Sequence, residues 1–500
     1  MPKDLVDQPA PPHTETPFQS FFRKYFNTKF LVALGGALLL TLPIYFQLFP
    51  ITPAWVPWSQ LGDFLQKGGE WRVILRELLS FLSLAGGFYL LLRWRFSPFW
   101  LGFLLSLLWF HWVGFSFIYY NFDYLVPVVI IGMGVGYGIL FWIVGKIGDK
   151  FAQFLPSSWR EYLHPFWWGS AFLLLPFFAP FTFDWLQFQP LLTTTPFPPL
   201  PLSLGILIFG IALLTLPHRW GKIAGFFTLL GLFLLPVRPL QSLPPVKLLP
   251  ISTDIPQNFK WERGERPREI NAQLQAISLL LQKREIELVV TPETSFPLSL
   301  NLHRDLVEIL SNLSRKGAIL VGSLYQTPKG QVYNVGYLFG GGRLEKVLKK
   351  HILVPFGEYI PLPLFQKEIN KIFFGDDENF ASAPQFARFQ IANTPFFLAI
   401  CYELTSQKLY QTPGPTYIVG IANNGWFYLP NSNWSIEPIL QRLIAQYYSY
   451  RYGKVIYITT NRSGSYLLNR GRVEKWEGVE VIRTPTGKYK LLEKGNNGRI

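Results

Sequence analysis

The pattern of apolar and polar positions divides the chain into two unlike halves. Between about residues 30 and 237 run seven long apolar stretches, at 30–50, 73–92, 98–120, 125–145, 164–187, 199–217 and 222–237. Most reach the ~20 residues needed to cross ~30 Å of hydrocarbon at 1.5 Å per residue; the last is the shortest. The pattern predicts a polytopic α-helical membrane domain of about seven spans over residues 29–238. Residues 1–28 read as a polar tail, because they lack the apolar core and small-residue cleavage site of a secretory signal.

After a proline-rich linker (239–250) the periodicity changes. Residues 265–283 predict an amphipathic helix, Glu287–Thr291 a buried strand, Leu302–Leu313 a helix and Ala318–Tyr325 a strand. Val332–Phe339 and Leu344–Leu348 predict a hairpin around Gly340-Gly341-Gly342. Strands follow at Phe386–Ile391, Phe396–Ile400, Tyr417–Ala422 and Val455–Thr460, with a long helix over about 433–452. Alternating helices and fully apolar strands imply a layered α/β domain over 251–487, followed by a polar, unstructured tail at 488–500.

Charge adds an orientation. The tail (Lys3, Arg23, Lys24, Lys29) and alternate loops (Arg93, Arg95; Lys146, Lys150, Arg160; Arg219, Lys222) hold eleven basic residues. The intervening loops hold few, which puts the first residues in the cytoplasm. Seven crossings then carry the second domain to the outer side; a re-entrant 222–237 segment would leave it cytosolic. Arg76-Glu77 in the second stretch reads either as a functional intramembrane pair or as a helix end snorkelling to the headgroups.

Composition agrees with a membrane protein carrying a soluble domain. Hydrophobic residues make up 49% and charged residues 15%, and only fifteen of the 46 Lys and Arg lie before residue 241. The net charge of +15 needs no nucleic-acid partner, because no basic tract or nucleic-acid motif accompanies it. One cysteine excludes an intrachain disulfide and a cysteine-rich metal site, and six scattered histidines show no ligand spacing. No metal or cofactor is implied.

That single cysteine, Cys401, ends the apolar run Pro395–Ile400 and is followed by Tyr402-Glu403. Two other polar islands share this layout: Glu293 after Glu287–Pro292, and the pair Lys349-Lys350 before Leu353-Val354-Pro355-Phe356-Gly357-Glu358. A lone cysteine at a strand end is most often inert core, and a thiol with a pKa of about 8.5 needs activation. Only His303 and His351 stand in this domain, neither beside an evident orienting Asn or Asp. A carboxylate to take the thiol proton and an ammonium to stabilise thiolate and oxyanion would serve instead.

Thr291-Pro292-Glu293-Thr294, Lys350 eight residues before Glu358, and Cys401-Tyr402-Glu403 look like the Glu–Lys–Cys triad of the nitrilase superfamily. With the preceding spans, Ile255–Trp261, Leu353–Tyr359 and Asn423-Asn424-Gly425-Trp426-Phe427, nearly the whole chain resembles the bacterial apolipoprotein N-acyltransferase family. The resemblance implies a nitrilase-like αββα sandwich at the bacterial cytoplasmic (inner) membrane, working as a monomer on its outer face. It further implies ping-pong transfer of an acyl chain from a phospholipid donor, through a Cys401 thioester, to the α-amine of a diacylglyceryl lipoprotein acceptor. Glu293 would be the base and Lys350 the oxyanion stabiliser, with Glu358, Glu403 and Tyr402 in support. Trp261, Phe373, Phe374 and Trp426 are candidate lid or substrate contacts. The adjacent Lys349 is a one-residue alternative, which ungapped spacing from Glu358 disfavours. The chain departs from the family at Ile352 and after Trp426, where a usual histidine and a Gln-His pair are replaced, and its last residues read as a polar tail where the resemblance implies an eighth span. The rival reading is a membrane-tethered amidase using the same triad with water as acceptor.

Overall fold

The computed structural model describes residues 27–49, 55–178, 183–283, 286–355, 357–359 and 380–494. Phe373 and Phe374 lie outside them, as does the N-terminal tail before Asn27.

Each apolar stretch carries a helix: α1 (Thr28–Tyr45), α2 (Trp71–Arg93), α3 (Pro98–Phe115), α4 (Val126–Gln153), α5 (Ser157–Leu174), α6 (Pro201–Leu214) and α7 (Arg219–Leu230). Among the described residues, four helical segments, Thr28–Leu48, Trp71–Arg93, Pro98–Tyr120 and Asp123–Gln153, are long and apolar enough to cross a membrane; Pro201–Leu214 is a shorter apolar helix. Local chemistry sets several starts. Asn27 caps α1 by accepting from the Lys29 and Phe30 amides at 3.0 and 3.3 Å, and prolines open α3, α4 and α6. Small residues let the helices approach closely: a Cβ on Gly102 would stand 2.3 Å from the Tyr137 carbonyl oxygen on α4.

The fifth stretch departs from expectation. Its helix begins before the stretch and stops at Leu174, and residues 183–200 carry no α-helix. Pro176, Pro190, Pro196, Pro198 and Pro199 deny a continuing helix its amide donors. The segment is nonetheless buried, at Trp185, Leu186, Phe188, Leu191 and Leu192, because it packs on protein. Its threonines satisfy themselves: Thr193, Thr194 and Thr195 hydroxyls donate to carbonyls three residues back at 2.6–2.8 Å.

Among the described residues, the second half contains thirteen strands. β1 (Leu248–Asp254) begins inside the expected linker, followed by β2 (Leu288–Val290), β3 (Ala318–Gln326), β4 (Val332–Gly340) and β5 (Arg343–Lys349). Then come β6 (Arg388–Ile391), β7 (Thr394–Ile400), β8 (Tyr417–Asn423), β9 (Val455–Asn461), β10 (Ser465–Asn469), β11 (Arg472–Lys475), β12 (Gly478–Arg483) and β13 (Tyr489–Lys494). The order is β5-β4-β3-β2-β1-β9-β8-β7-β6. β1 is the hinge of this path: Leu248–Pro250 pairs with β2, while Ile251–Asp254 pairs with β12 and Thr253 alone faces Asn461 on β9. β13, expected as an unstructured tail, pairs along its length with β12, and Tyr489 and Leu491 pack on the core.

Alternation along the strands assigns two faces. Val289, Ile319, Val321 and Tyr337 join a cluster with helices α8 (Arg266–Leu281) and α9 (Arg304–Leu313). Leu288, Val290, Leu320 and Leu338 point the other way, into a cluster shared with Leu398, Ile400 and Ile421. That second cluster runs on through helix α10 (Glu437–Tyr452) into the membrane helices.

Candidate active site

Three strand ends converge. Glu293 follows β2, Lys350 continues β5 by one residue, and Cys401 closes β7 and opens a tight turn over Cys401–Thr405. All three are buried. Cys401 has φ 53° and Thr294, beside Glu293, has φ 47°. Neither is glycine, and Thr294 is β-branched, so both turns hold strain that the surrounding fold must maintain.

Lys350 sits between two carboxylates. Its Nζ lies 2.8 Å from Glu358 and 3.8 Å from Glu293 Oε1. Asn334, opposite Lys350 across the hairpin, ties the two acids together: its Nδ2 donates to Glu293 Oε1 at 2.6 Å and to Glu358 Oε1 at 3.1 Å. The backbone fixes the far oxygens. The Asn423 amide donates to Glu293 Oε2 at 2.7 Å and the Val354 amide to Glu358 Oε2 at 2.9 Å. Lys349 points the opposite way, as the next residue on a strand must, and lies 4.0 Å from the Tyr333 ring centroid.

Glu403 does not reach toward Lys350 as a hydrogen-bond partner. It accepts from the Ile400 amide at 2.7 Å and from the His351 and Ile352 amides at 2.7 and 3.1 Å. It therefore clamps the Cys401 turn to the loop after Lys350, a positioning role.

Burial governs the protonation states. It pushes the Cys401 thiol well up, with Glu293 adding to the rise and Lys350 opposing it. It pushes Glu293 up as well, against the pull of Lys350. Burial alone would lower Lys350, but Glu358 and Glu293 overcome it and hold the ammonium. Glu403 rises to about 7 because desolvation outweighs its amide donors. The resting site is thus a neutral thiol beside a carboxyl of raised basicity and a fixed cation. This arrangement can move a proton from sulfur to Glu293 and place positive charge beside an oxyanion.

The other predicted residues separate. Tyr402 is buried in a stack with Phe183 and Trp185, at ring-centroid distances of 6.0 and 6.3 Å. Trp426 stacks on Tyr120 of the membrane half at 5.2 Å. Trp261 packs under Arg266, 5.9 Å from its ring. Arg76 and Glu77 are buried between the halves, where Glu77 accepts from the Val56 amide at 2.9 Å, so neither is a snorkelling end. Two contributors escaped the sequence reading. Asn334 carried no local signal, and Glu437 read only as part of a helix. Glu437 is buried within electrostatic reach of Cys401 and Glu293, and burial pushes it well up.

Both halves of the chain have counterparts among known proteins. The model of the apolipoprotein N-acyltransferase integral membrane domain matches residues 27–235. A Wolinella succinogenes protein named apolipoprotein N-acyltransferase is 36% identical over 438 residues, 87% of this chain and 94% of that protein. Proteins of the same name from Helicobacter pylori and Campylobacter jejuni are 33% and 30% identical, over 75% and 89% of this chain and 84% and 92% of theirs. Among solved structures, a carbon–nitrogen hydrolase from Helicobacter pylori G27 aligns with 49% of this chain and 87% of its own, at 14% identity and a TM-score of 0.37. Given similarity of this extent across both halves, the chain belongs to the apolipoprotein N-acyltransferase family.

Proposed function

We propose that the protein transfers an acyl chain from a membrane phospholipid to the α-amine of a diacylglyceryl-cysteine at a lipoprotein N-terminus. The observation that carries this reading is the meeting of Cys401, Glu293 and Lys350 in one buried site, on a domain whose core continues into membrane helices. Glu293 takes the thiol proton as Sγ attacks the ester carbonyl, and Lys350 stabilises the oxyanion. Collapse expels the lysophospholipid alkoxide, which receives the proton from Glu293, and leaves a thioester on Cys401. The acceptor amine then attacks this thioester, Glu293 accepts its proton, and collapse returns the thiol and releases an amide. The family relationship supports a bacterial cytoplasmic membrane location with the sandwich on its outer face, where both lipid substrates are met at leaflet depth.

The test is mass spectrometry of a lipoprotein N-terminus after incubation with enzyme and defined phospholipid, wild type beside Cys401→Ala. The wild type should add one acyl chain in amide linkage. Cys401→Ala should add none and lose hydroxylamine-sensitive labelling of the enzyme, a fall of at least about 10³-fold. Labelling that persists in Cys401→Ala would sink the thioester. Free fatty acid released without amide product would favour the hydrolytic alternative.

A further inference from the structure

A cavity of about 510 Å³ opens at the seam between the halves, and none of Cys401, Glu293 and Lys350 lines it. Its wall includes Gln47 and Leu48 from the end of the first span, with Trp434, Arg442, Tyr466 and Lys475 from the sandwich side. Arg442, on α10, is the unusual member. Its Nε is buried with no hydrogen-bond partner, and its Nη2 donates at 3.3 Å to Gln47 Oε1, a neutral acceptor. Among the described residues it forms no ion pair with a carboxylate. Glu474 also lines the cavity but lies 3.9 Å from Arg472, and Glu77, behind Arg442, is engaged by the Val56 amide. Arg76 lies near enough to add repulsion to the burial that lowers the Arg442 pKa to about 10.

A half-buried guanidinium whose Nε is shielded from water and lacks a counter-anion is unfavourable, and its planar fork matches phosphate oxygens. The position of the cavity selects the source of that anion. Leu48 and Phe49, at the end of the first span, are 39% and 60% exposed, and Trp434 on the cavity wall is 50% exposed. Apolar side chains and an exposed tryptophan at a span end mark headgroup depth.

We propose that this cavity binds the phosphodiester of a membrane phospholipid headgroup, with the half-buried Arg442 as its counter-charge and Lys475 at its rim. The site does not depend on the chemistry assigned to Cys401. It is tested on full-length protein carrying Cys401→Ala, so that bound lipid is not consumed, in nonionic detergent. Thermal unfolding is followed with added short-chain phosphatidylglycerol, inorganic phosphate, or diacylglycerol of the same chain length. Phosphatidylglycerol should raise Tm saturably, and the other two should not. Arg442→Gln should weaken the apparent affinity roughly tenfold to a hundredfold. Lys475→Glu reverses a charge on an exposed side chain without disturbing the buried frame, and should weaken it less. It carries the test if Arg442→Gln does not fold. Unchanged affinity in both variants overturns the site. Equal stabilisation by inorganic phosphate overturns the lipid assignment in favour of a free anion, and equal stabilisation by diacylglycerol removes any role for charge.

Discussion

Two buried lysine–carboxylate groupings lie in the same domain and do different things. Lys260 and Glu269 form a 2.8 Å pair in which both side chains are fully buried. Lys350 is just as buried, yet it faces two carboxylates, one at 2.8 Å and one at 3.8 Å, bridged by Asn334. The first grouping balances one charge with one charge and joins a short helix to α8. The second carries a surplus acid beside a thiol. Burial and pairing are common to both, so neither marks a catalytic site. In the proposed mechanism the excess carboxylate makes the difference, because only an acid left over after the cation is satisfied is free to accept a proton.

Matched substitutions can break this distinction. Glu293→Gln should slow acyl-enzyme formation by ~10²–10⁴-fold, the usual worth of a general base, while the fold survives because Lys350 keeps Glu358. Glu269→Gln should instead lower Tm and leave the rate per folded molecule unchanged. A rate loss from Glu269→Gln would erase the contrast. Lys350→Met should cost ~10²–10³-fold in acyl-enzyme formation through loss of oxyanion stabilisation. It should also cost about 3–5 kcal/mol of stability, because it strands buried acids. Lys260→Met should show the stability loss alone, read by single-turnover labelling beside thermal unfolding.

The smallest effect concerns Glu403. Its folded pKa of about 7 lies above the ordinary 4.5, so the fold favours its neutral form. The stability it contributes is complete below pH 4.5 and is lost as pH rises to about 7, on the order of 3 kcal/mol in all. Glu403→Gln should flatten that part of the Tm–pH profile; an unaltered slope would refute the assignment.

The candidate site was legible because Glu293 and Cys401 each end an apolar run that reads as a strand, while Lys350 stands between a hairpin strand and the apolar block Leu353–Phe356. What lay inside a strand did not show. Asn334 reaches the acids only because it faces Lys350 across the hairpin, and a bulge between Leu338 and Phe339 shifts that register by one. Counted from the Gly340–Gly342 turn without the bulge, Tyr333 would stand there instead. The end of the fifth stretch, residues 183–187, misled for another reason. Hydropathy measures what a segment contains and not what covers it, and here the cover is protein, not lipid. The strand Tyr489–Lys494 was missed because half of its six residues are charged, although Tyr489 and Leu491 alternate as a strand requires.

The aromatic seam has a consequence for how the molecule can be divided. Tyr402 stacks on Phe183 and Trp185, Phe427 meets Trp112 at 4.9 Å, and the Trp185 indole donates to the Thr405 hydroxyl at 2.9 Å. The turn that carries Cys401 is therefore built from both halves, and a cut at the proline-rich linker would strip one wall from it. Expressed alone, the sandwich would present a sticky aromatic face and a loosened nucleophile. The chain is one indivisible machine, in which the lipid-embedded helices form part of the mould that shapes the catalytic turn.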